Sequence, residues 1–433
     1  MAAWSTLSAN IWKDCNNALL DRRTAVVPLL TGISELATCP PDGGQANIGV
    51  IHNAALVWQN DTIVWVGPET ELPPPYSDEE SYDCSGKLVI PGLVDCHTHL
   101  CFGGWRGDEF ALRIEGRSYL EIASAGGGIA STVRATRQAS RSELINKASS
   151  ALDGMLQLGI TTVECKSGYG LEPDSEIRQL EIYRALDESH TVDLVPTFLG
   201  AHIIPEEFAD ARDKYIDLLC DELIPEVARR ELAEFCDCYI DAGAYTLAEG
   251  RKILECAAEY GLKLKIHAEQ LEYSGAASLA AELGARSAEH LERIDAEGIA
   301  AMASKGVVAV SLPLASLYLQ DDYLDARSLI DSGVRVAVAT DFNPGSAPSY
   351  HLPFAMTLAC LNQRMTPAEV LKAATSYAAA ALDRDCVIGS LLPGFRADIT
   401  VIDAPSVNHW LYHLRPNACG AVIKNGRYIT ANA

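Results

Sequence analysis

Through the middle of the chain, short apolar runs alternate with longer stretches whose apolar residues fall at helical spacing. Eight runs read as strands: 88–99, 161–166, 193–202, 236–242, 261–270, 285–291, 306–315 and 333–341. Residues 142–159, 247–260 and 271–283 are among the helical stretches between them. Eight strand–helix units spread over roughly 250–300 residues predict a (β/α)8 barrel. The flanks read differently. Residues 53–58 and 62–67 predict a hairpin turned at Asn60-Asp61. Residues 72–80 are rich in proline and acid and predict a loop. At the far end, 397–403 and 421–429 predict strands. The expectation is an α/β fold: a TIM-like barrel over 91–389, with a small composite β-sandwich built from 1–90 and 390–433.

Composition narrows the class without naming a reaction. No stretch of about 18 apolar residues occurs, so no membrane-spanning segment is expected. Met1 to Lys13 lacks a basic region followed by an apolar run, so no signal peptide is expected and the chain is placed in the cytoplasm. The net charge of −24 argues against nucleic acid or anionic lipid as partners. An anionic substrate would then need a locally basic pocket. The 13 cysteines show no framework spacing, and Cys236-Asp237-Cys238 has no second pair to make a zinc knuckle, so reduced thiols are expected.

The polar residues that end the apolar runs carry the chemistry. His97 and His99 end the first strand, His202 the third, His267 the fifth, His290 the sixth and Asp341 the eighth. In a parallel barrel those ends converge on one face. Residues two apart on a strand share a side, so His97 and His99 can approach one cation together. Three histidines and a carboxylate with an open position suit Zn²⁺ or Fe²⁺. Such an ion makes water a nucleophile near neutral pH. A carboxylate beside it, as Asp341 would be, can take up and return the proton.

"PGLVDCHTHL" together with "VAVATDFNPGS" resembles the amidohydrolase superfamily. The likeness narrows through "FGGWRGDEF", "SYLEIASAGGGIASTVRATR", "TTVECKSGYGL", "PTFLGAH", "KIHAEQL" and "SAEHLE", in that order. It covers the chain from about Leu88 onward and leaves the first 50 residues aside. The members it points to hydrolyse 4-imidazolone-5-propanoate to N-formimidoyl-L-glutamate in histidine degradation. Carried over by position, the resemblance implies His97, His99, His267 and Asp341 as ligands of one Zn²⁺ or Fe ion per subunit. It implies Arg106, Tyr169, His202, Gln270, Asn343, Gly345 and Ser346 as substrate contacts, and a homodimer.

The residue types agree with those roles. Arg106 can pair bidentately with a propionate carboxylate. Tyr169 sits between glycines that let backbone approach a ligand. His202 is expected to donate to the ring carbonyl. The loop of Asn343, Gly345 and Ser346 can offer backbone amides to an anion. Taken alone, each has a plainer reading as surface arginine, turn or strand cap.

Two departures matter. Binuclear relatives use a lysine at the end of strand four; that strand here runs "CDCYIDAGAY", and Lys166 falls on strand two. One metal is therefore expected, with His290 orienting or shuttling protons beside the water. Some relatives carry glutamate three residues after the fifth-strand histidine. This chain has Gln270, which cannot act as a base but can donate and accept hydrogen bonds. The base role thus goes to Asp341. The alternatives are another mononuclear amidohydrolase, such as a purine or triazine ring deaminase, and a non-enzymatic binding protein on the same scaffold, which would be expected to lack metal histidines.

Overall fold

The computed structural model describes residues 28–77, 80–117, 121 and 126–430. The reading of Met1 to Lys13, part of the 72–80 loop and most of the block from Ser118 to Ala125 lie outside them. Five strands come first: β1 (Leu29–Ala37), β2 (Val50–Gln59), β3 (Thr62–Pro68), β4 (Ser81–Asp83) and β5 (Leu88–Pro91). Eight follow: β6 (Leu93–Asp95), β7 (Ile160–Lys166), β8 (Asp193–Ala201), β9 (Phe235–Ile240), β10 (Lys263–Ala268), β11 (Ser287–His290), β12 (Val308–Ser311) and β13 (Val336–Val338). The chain closes with β14 (Ile399–Ile402), β15 (Cys419–Lys424) and β16 (Arg427–Thr430).

β6 to β13 pair in chain order, every ladder parallel. The two ends meet where Thr98 bridges Phe342, with Asp341 N–H donating to His97 O (3.0 Å) and His99 N–H to Phe342 O (2.9 Å). The ring therefore closes through the segments that bear the expected metal ligands. Helices cover the outside. Two of them, Arg141–Gln157 and Leu247–Glu259, begin at capping boxes, Ser140 with Glu143 and Thr246 with Glu249.

The terminal segments form one continuous mixed sheet in the order β16-β15-β14-β5-β1-β2-β3, with β4 also against β1. The 88–99 run, expected as one strand, is two strands in two sheets. β5 pairs with β1 and β14, whereas β6 pairs with β7. The switch falls at Pro91-Gly92. A Cβ on Gly92 would lie 2.3 Å from Thr161 Oγ1, so only glycine lets the backbone cross that closely. The 421–429 run is likewise a hairpin, β15 against β16. Its turn residues, Asn425 (φ 51°) and Gly426 (φ 72°), are both left-handed, as a two-residue turn of this kind requires.

Helix 271–283 begins only at Ala276. Asp241 explains the delay: its carboxylate accepts the amides of Gln270, Leu271 and Glu272 (2.6, 2.9 and 3.1 Å). Those donors are held in a loop at the barrel mouth, which places Gln270 over the cavity.

Candidate active site

The mouth of the barrel opens into a cavity of about 500 Å³ lined by His99, Arg106, Tyr169, His202, His267, Gln270, His290, Asp341, Asn343, Gly345 and Ser346 among others. Every expected site residue except the fully buried His97 thus faces one space, although they span some 250 positions of sequence.

His97 and His99 follow β6 on either side of Thr98. The Thr98 hydroxyl donates to Glu164 O (2.6 Å) and its amide to Glu164 Oε2 (3.2 Å), which pins the middle residue and turns both imidazoles the same way. Asp341 Oδ1 lies 3.3 Å from His97 Nε2 and 3.4 Å from His99 Nε2. The ring of His267 is 4.6 Å from that of His97 and 5.5 Å from that of His99. Ligand atoms of His97, His99 and Asp341 lie within 4.8 Å of one another, as do those of His97, His267 and His290. His97 joins the two groups.

The donor set fits a divalent cation on several counts. His267 Nε2 is buried without a hydrogen-bond partner among the described residues. Such an orphan is costly unless something fills it. Burial holds His99 and His267 neutral, with pKa values near 4 and 3, the form a metal takes. Burial is the largest influence on His97 and opposes its charge, yet the Glu289 and Asp341 carboxylates together outweigh it and lift His97 to about 9. The surplus of negative charge at that point is what a bound cation would offset. Burial raises Asp341, but hydrogen bonds from His97 and His99 bring it well below the usual carboxylate range, so it stays ionised.

Two carboxylates stand behind the histidines. Asp237 Oδ2 lies 2.9 Å from His267 Nδ1, and Glu289 Oε2 lies 2.5 Å from His97 Nδ1. Each stands at ion-pair distance from Nδ1, on the side away from the cavity, the placement of a carboxylate–histidine–metal relay. Neither residue is among the site residues expected from the sequence. Their signal was there: charged residues inside runs that, in a parallel sheet covered on both faces, should be uniformly apolar.

His290 and Asp341 adopt left-handed backbone, φ 75° and 56°. Each such non-glycine residue costs about 1–3 kcal/mol, and the turn aims each side chain off its strand end into the mouth. His290 lies 5.5 Å from His267 and 5.9 Å from His97, ring to ring, with Glu292 3.7 Å from its Nδ1.

The substrate side of the cavity begins at Arg106. Its Nε donates to Glu109 Oε2 (3.1 Å), and its two terminal nitrogens make no hydrogen bond among the described residues. The guanidinium lies flat on Gly345, where a Cβ would come 2.5–2.6 Å from its atoms. Arg113 braces the same loop by donating to Gly345 O (3.2 Å). A Gly345→Ala variant must therefore push Arg106 aside. KM is expected to rise about tenfold, about 1.4 kcal/mol, with kcat little changed. Steady-state kinetics checks this, and an unchanged KM refutes it.

Two expected roles change with the geometry. His202 Nδ1 lies 2.9 Å from Gly168 O, so that nitrogen carries the proton. Burial drops the His202 pKa to about 3, which keeps the ring neutral. Its Nε2 is then a lone pair and accepts, rather than donating to a carbonyl as expected. The amides of Gly345 and Ser346 both donate to Asn343 Oδ1 (2.7 and 2.8 Å), so they are not free for an anion. What that loop presents is the Ser346 hydroxyl, 3.3 Å from Asp341 Oδ2. Gln270 Oε1 accepts from the Tyr239 hydroxyl (3.0 Å), which leaves its amide N–H₂ to donate. Burial pushes the Tyr169 phenol up, so it remains a neutral donor.

A closed parallel barrel with a histidine–aspartate cluster at its mouth defines a metal-dependent hydrolase of the amidohydrolase class, and the amidohydrolase family model matches residues 88–429. The relatives are more specific. Imidazolonepropionase from Geobacillus kaustophilus is 47% identical over 388 residues, 89% of this chain and 92% of that one. Those from Alkaliphilus metalliredigens (49%; 80% and 82%) and Symbiobacterium thermophilum (45%; 93% and 96%) are similarly close. The chain belongs to the imidazolonepropionases of the amidohydrolase family. Solved structures share the fold: a zinc-bound adenosine deaminase from Xanthomonas campestris (TM-score 0.69, 18% identity, 93% of this chain and 92% of that one) and a triazine hydrolase variant (0.72, 18%, 93% and 94%).

Proposed function

We propose that this chain hydrolyses 4-imidazolone-5-propanoate to N-formimidoyl-L-glutamate. The observation that carries the reading beyond its relatives is one cavity holding both the histidine–aspartate cluster and a guanidinium whose terminal nitrogens are free of partners among the described residues. His97, His99, His267 and Asp341 would hold one Zn²⁺ or Fe²⁺, which supplies Lewis acidity and lowers the pKa of water. A single ion is favoured because β9 contributes no lysine, and Asp237 on that strand is turned onto His267 Nδ1.

Arg106 takes the propionate carboxylate, with the Tyr169 hydroxyl beside it. His202 Nε2 accepts a ring N–H, and the Gln270 amide donates to the ring from the opposite loop. Water attacks the ring carbonyl carbon. The Asp341 carboxylate takes its proton and returns it to the ring nitrogen as the C–N bond breaks, leaving a new carboxylate and the formimidoyl group. His290, 5.5 Å from His267, orients the water. The resemblance adds a homodimer to this reading, and the expected reduced thiols a cytoplasmic location; sedimentation of purified protein tests the oligomer.

Freshly prepared imidazolone-propionate, offered to metal-replete protein beside guanine and 8-oxoguanine, separates this reading from a ring deaminase. Turnover of the first alone is expected. Release of ammonia from either purine, with imidazolone-propionate untouched, would sink it.

A further inference from the structure

Below the cluster the barrel interior holds charge where such barrels ordinarily hold branched aliphatic side chains. Glu164 and Lys166 come from β7, Asp237 from β9, Lys265 from β10 and Glu289 from β11, and all five are fully buried. Lys166 is their hub. Its Nζ lies 2.7 Å from Glu164 Oε1, 2.7 Å from Asp237 Oδ2 and 2.9 Å from Glu289 Oε2. Two ammonium protons donate, to Glu164 and Asp237, and Glu289 lies beside them at ion-pair distance. The oxygens involved are telling. Asp237 Oδ2 is the same atom that meets His267 Nδ1, and Glu289 Oε2 the same atom that meets His97 Nδ1.

We propose that Lys166 is a positioning residue for the metal centre: through Asp237 and Glu289, one ammonium fixes the imidazoles of His267 and His97 with Nδ1–H turned inward and Nε2 turned toward the ion. This rests on the ligand set proposed above. The physical reason is that two buried carboxylates this close repel each other and carry an unmet desolvation cost unless a cation lies between them. With Lys166 in place each has one oxygen at a fixed point, and that oxygen sets the tautomer and tilt of one ring. The two rings are thereby held by one common group. Lys265 does not duplicate this. It reaches the other oxygen of Glu289 (2.6 Å), the Ser287 hydroxyl and Cys96 O, and comes no closer than 3.9 Å to Glu164.

The test measures metal binding, not turnover. Metal-free protein is titrated with Zn²⁺, and with Co²⁺ read by its visible absorption. Lys166→Met is expected to weaken Zn²⁺ by about 10- to 100-fold and to change the Co²⁺ spectrum. Removing one cation leaves three carboxylates facing one another, so the decisive protein is Lys166→Met combined with Glu164→Gln, compared with Glu164→Gln alone. Glu164 meets Lys166, the Thr197 hydroxyl and the Thr98 amide, and no histidine among the described residues. The double variant keeps the network's net charge but loses the tether to Asp237 and Glu289. The same loss of affinity relative to Glu164→Gln is expected, with an unchanged circular dichroism spectrum. Affinity and spectrum equal to Glu164→Gln would overturn the proposal and leave Lys166 as a counter-charge. One measurement needs no variant to fold: ¹⁵N ring shifts in the metal-free native protein should show protonated Nδ1 at both His97 and His267, and a bare Nδ1 at either overturns it. Native protein that binds no ion, or binds one that His267→Ala does not disturb, would fault the ligand set instead.

Discussion

A His267→Ala variant is expected to fold, to carry no bound metal and to lose turnover by about four orders of magnitude or more. The size follows from the reaction: without an ion, the pKa of the attacking water returns from near neutrality to the far higher value of bulk water, and the ring carbonyl loses its Lewis acid. The fold should survive because His267 is not what holds Asp237. That carboxylate keeps its 2.7 Å contact with Lys166 and still accepts the residue 267 amide (3.2 Å), a backbone bond that alanine preserves. No neighbour can replace the lost nitrogen from the same direction. His290 approaches from the next strand with a ring 5.5 Å away, and His202 has Nδ1 committed to Gly168 O. Metal content by mass spectrometry and initial rates on the same sample check the result. Near-normal turnover in a metal-free variant would refute the ligand role and the mechanism with it.

What the chain reveals by itself, and what it hides, divides along a physical line. His97, His99, His202, His267, His290 and Asp341 were legible because each ends an apolar run, and a parallel barrel gathers such ends on one face. No knowledge of which strand sits opposite which was needed. Asp237 and Glu289 lie inside runs and Lys166 ends one, but the meaning of all three depends on the stagger of strands around the barrel. Alternation says that Glu164 and Lys166 share a face, but nothing local says that Lys166 reaches across to both β9 and β11. Lys166 is on the wrong strand to bridge two metals, which is a sound reason to reject a ligand and no reason to reject a support. The role of His202 was hidden for a similar cause. Its tautomer is decided by a carbonyl 34 residues away, brought near only by folding. The 88–99 run divides between two sheets, and an apolar run does not announce which sheet it joins. Pro91-Gly92 was the available hint.

Arg106 should govern which ring this chain accepts. Arg106→Met is expected to raise KM for imidazolone-propionate by about 100- to 1,000-fold, the cost of leaving a desolvated carboxylate without its partner, about 3–4 kcal/mol. The effect on kcat should be smaller, since the guanidinium stands on the first loop, beyond the reacting bond. Lysine should recover only part of the loss. A single ammonium cannot make the paired contact that a planar guanidinium makes, and it would not lie flat on Gly345. The decisive comparison uses a second substrate, the same ring with methyl in place of the propionate arm. Native protein should handle it as poorly as Arg106→Met handles the full substrate, and the variant should handle it no worse than the native protein does. That pattern assigns the lost energy to the contact between arginine and carboxylate, because each single change removes the same interaction. If Arg106→Met instead weakened both substrates equally, the arginine would be bracing the 343–346 loop and selecting nothing. The net charge of −24 gives the comparison its weight: on a surface this acidic, a carboxylate-bearing ring needs a cation held for it inside the mouth.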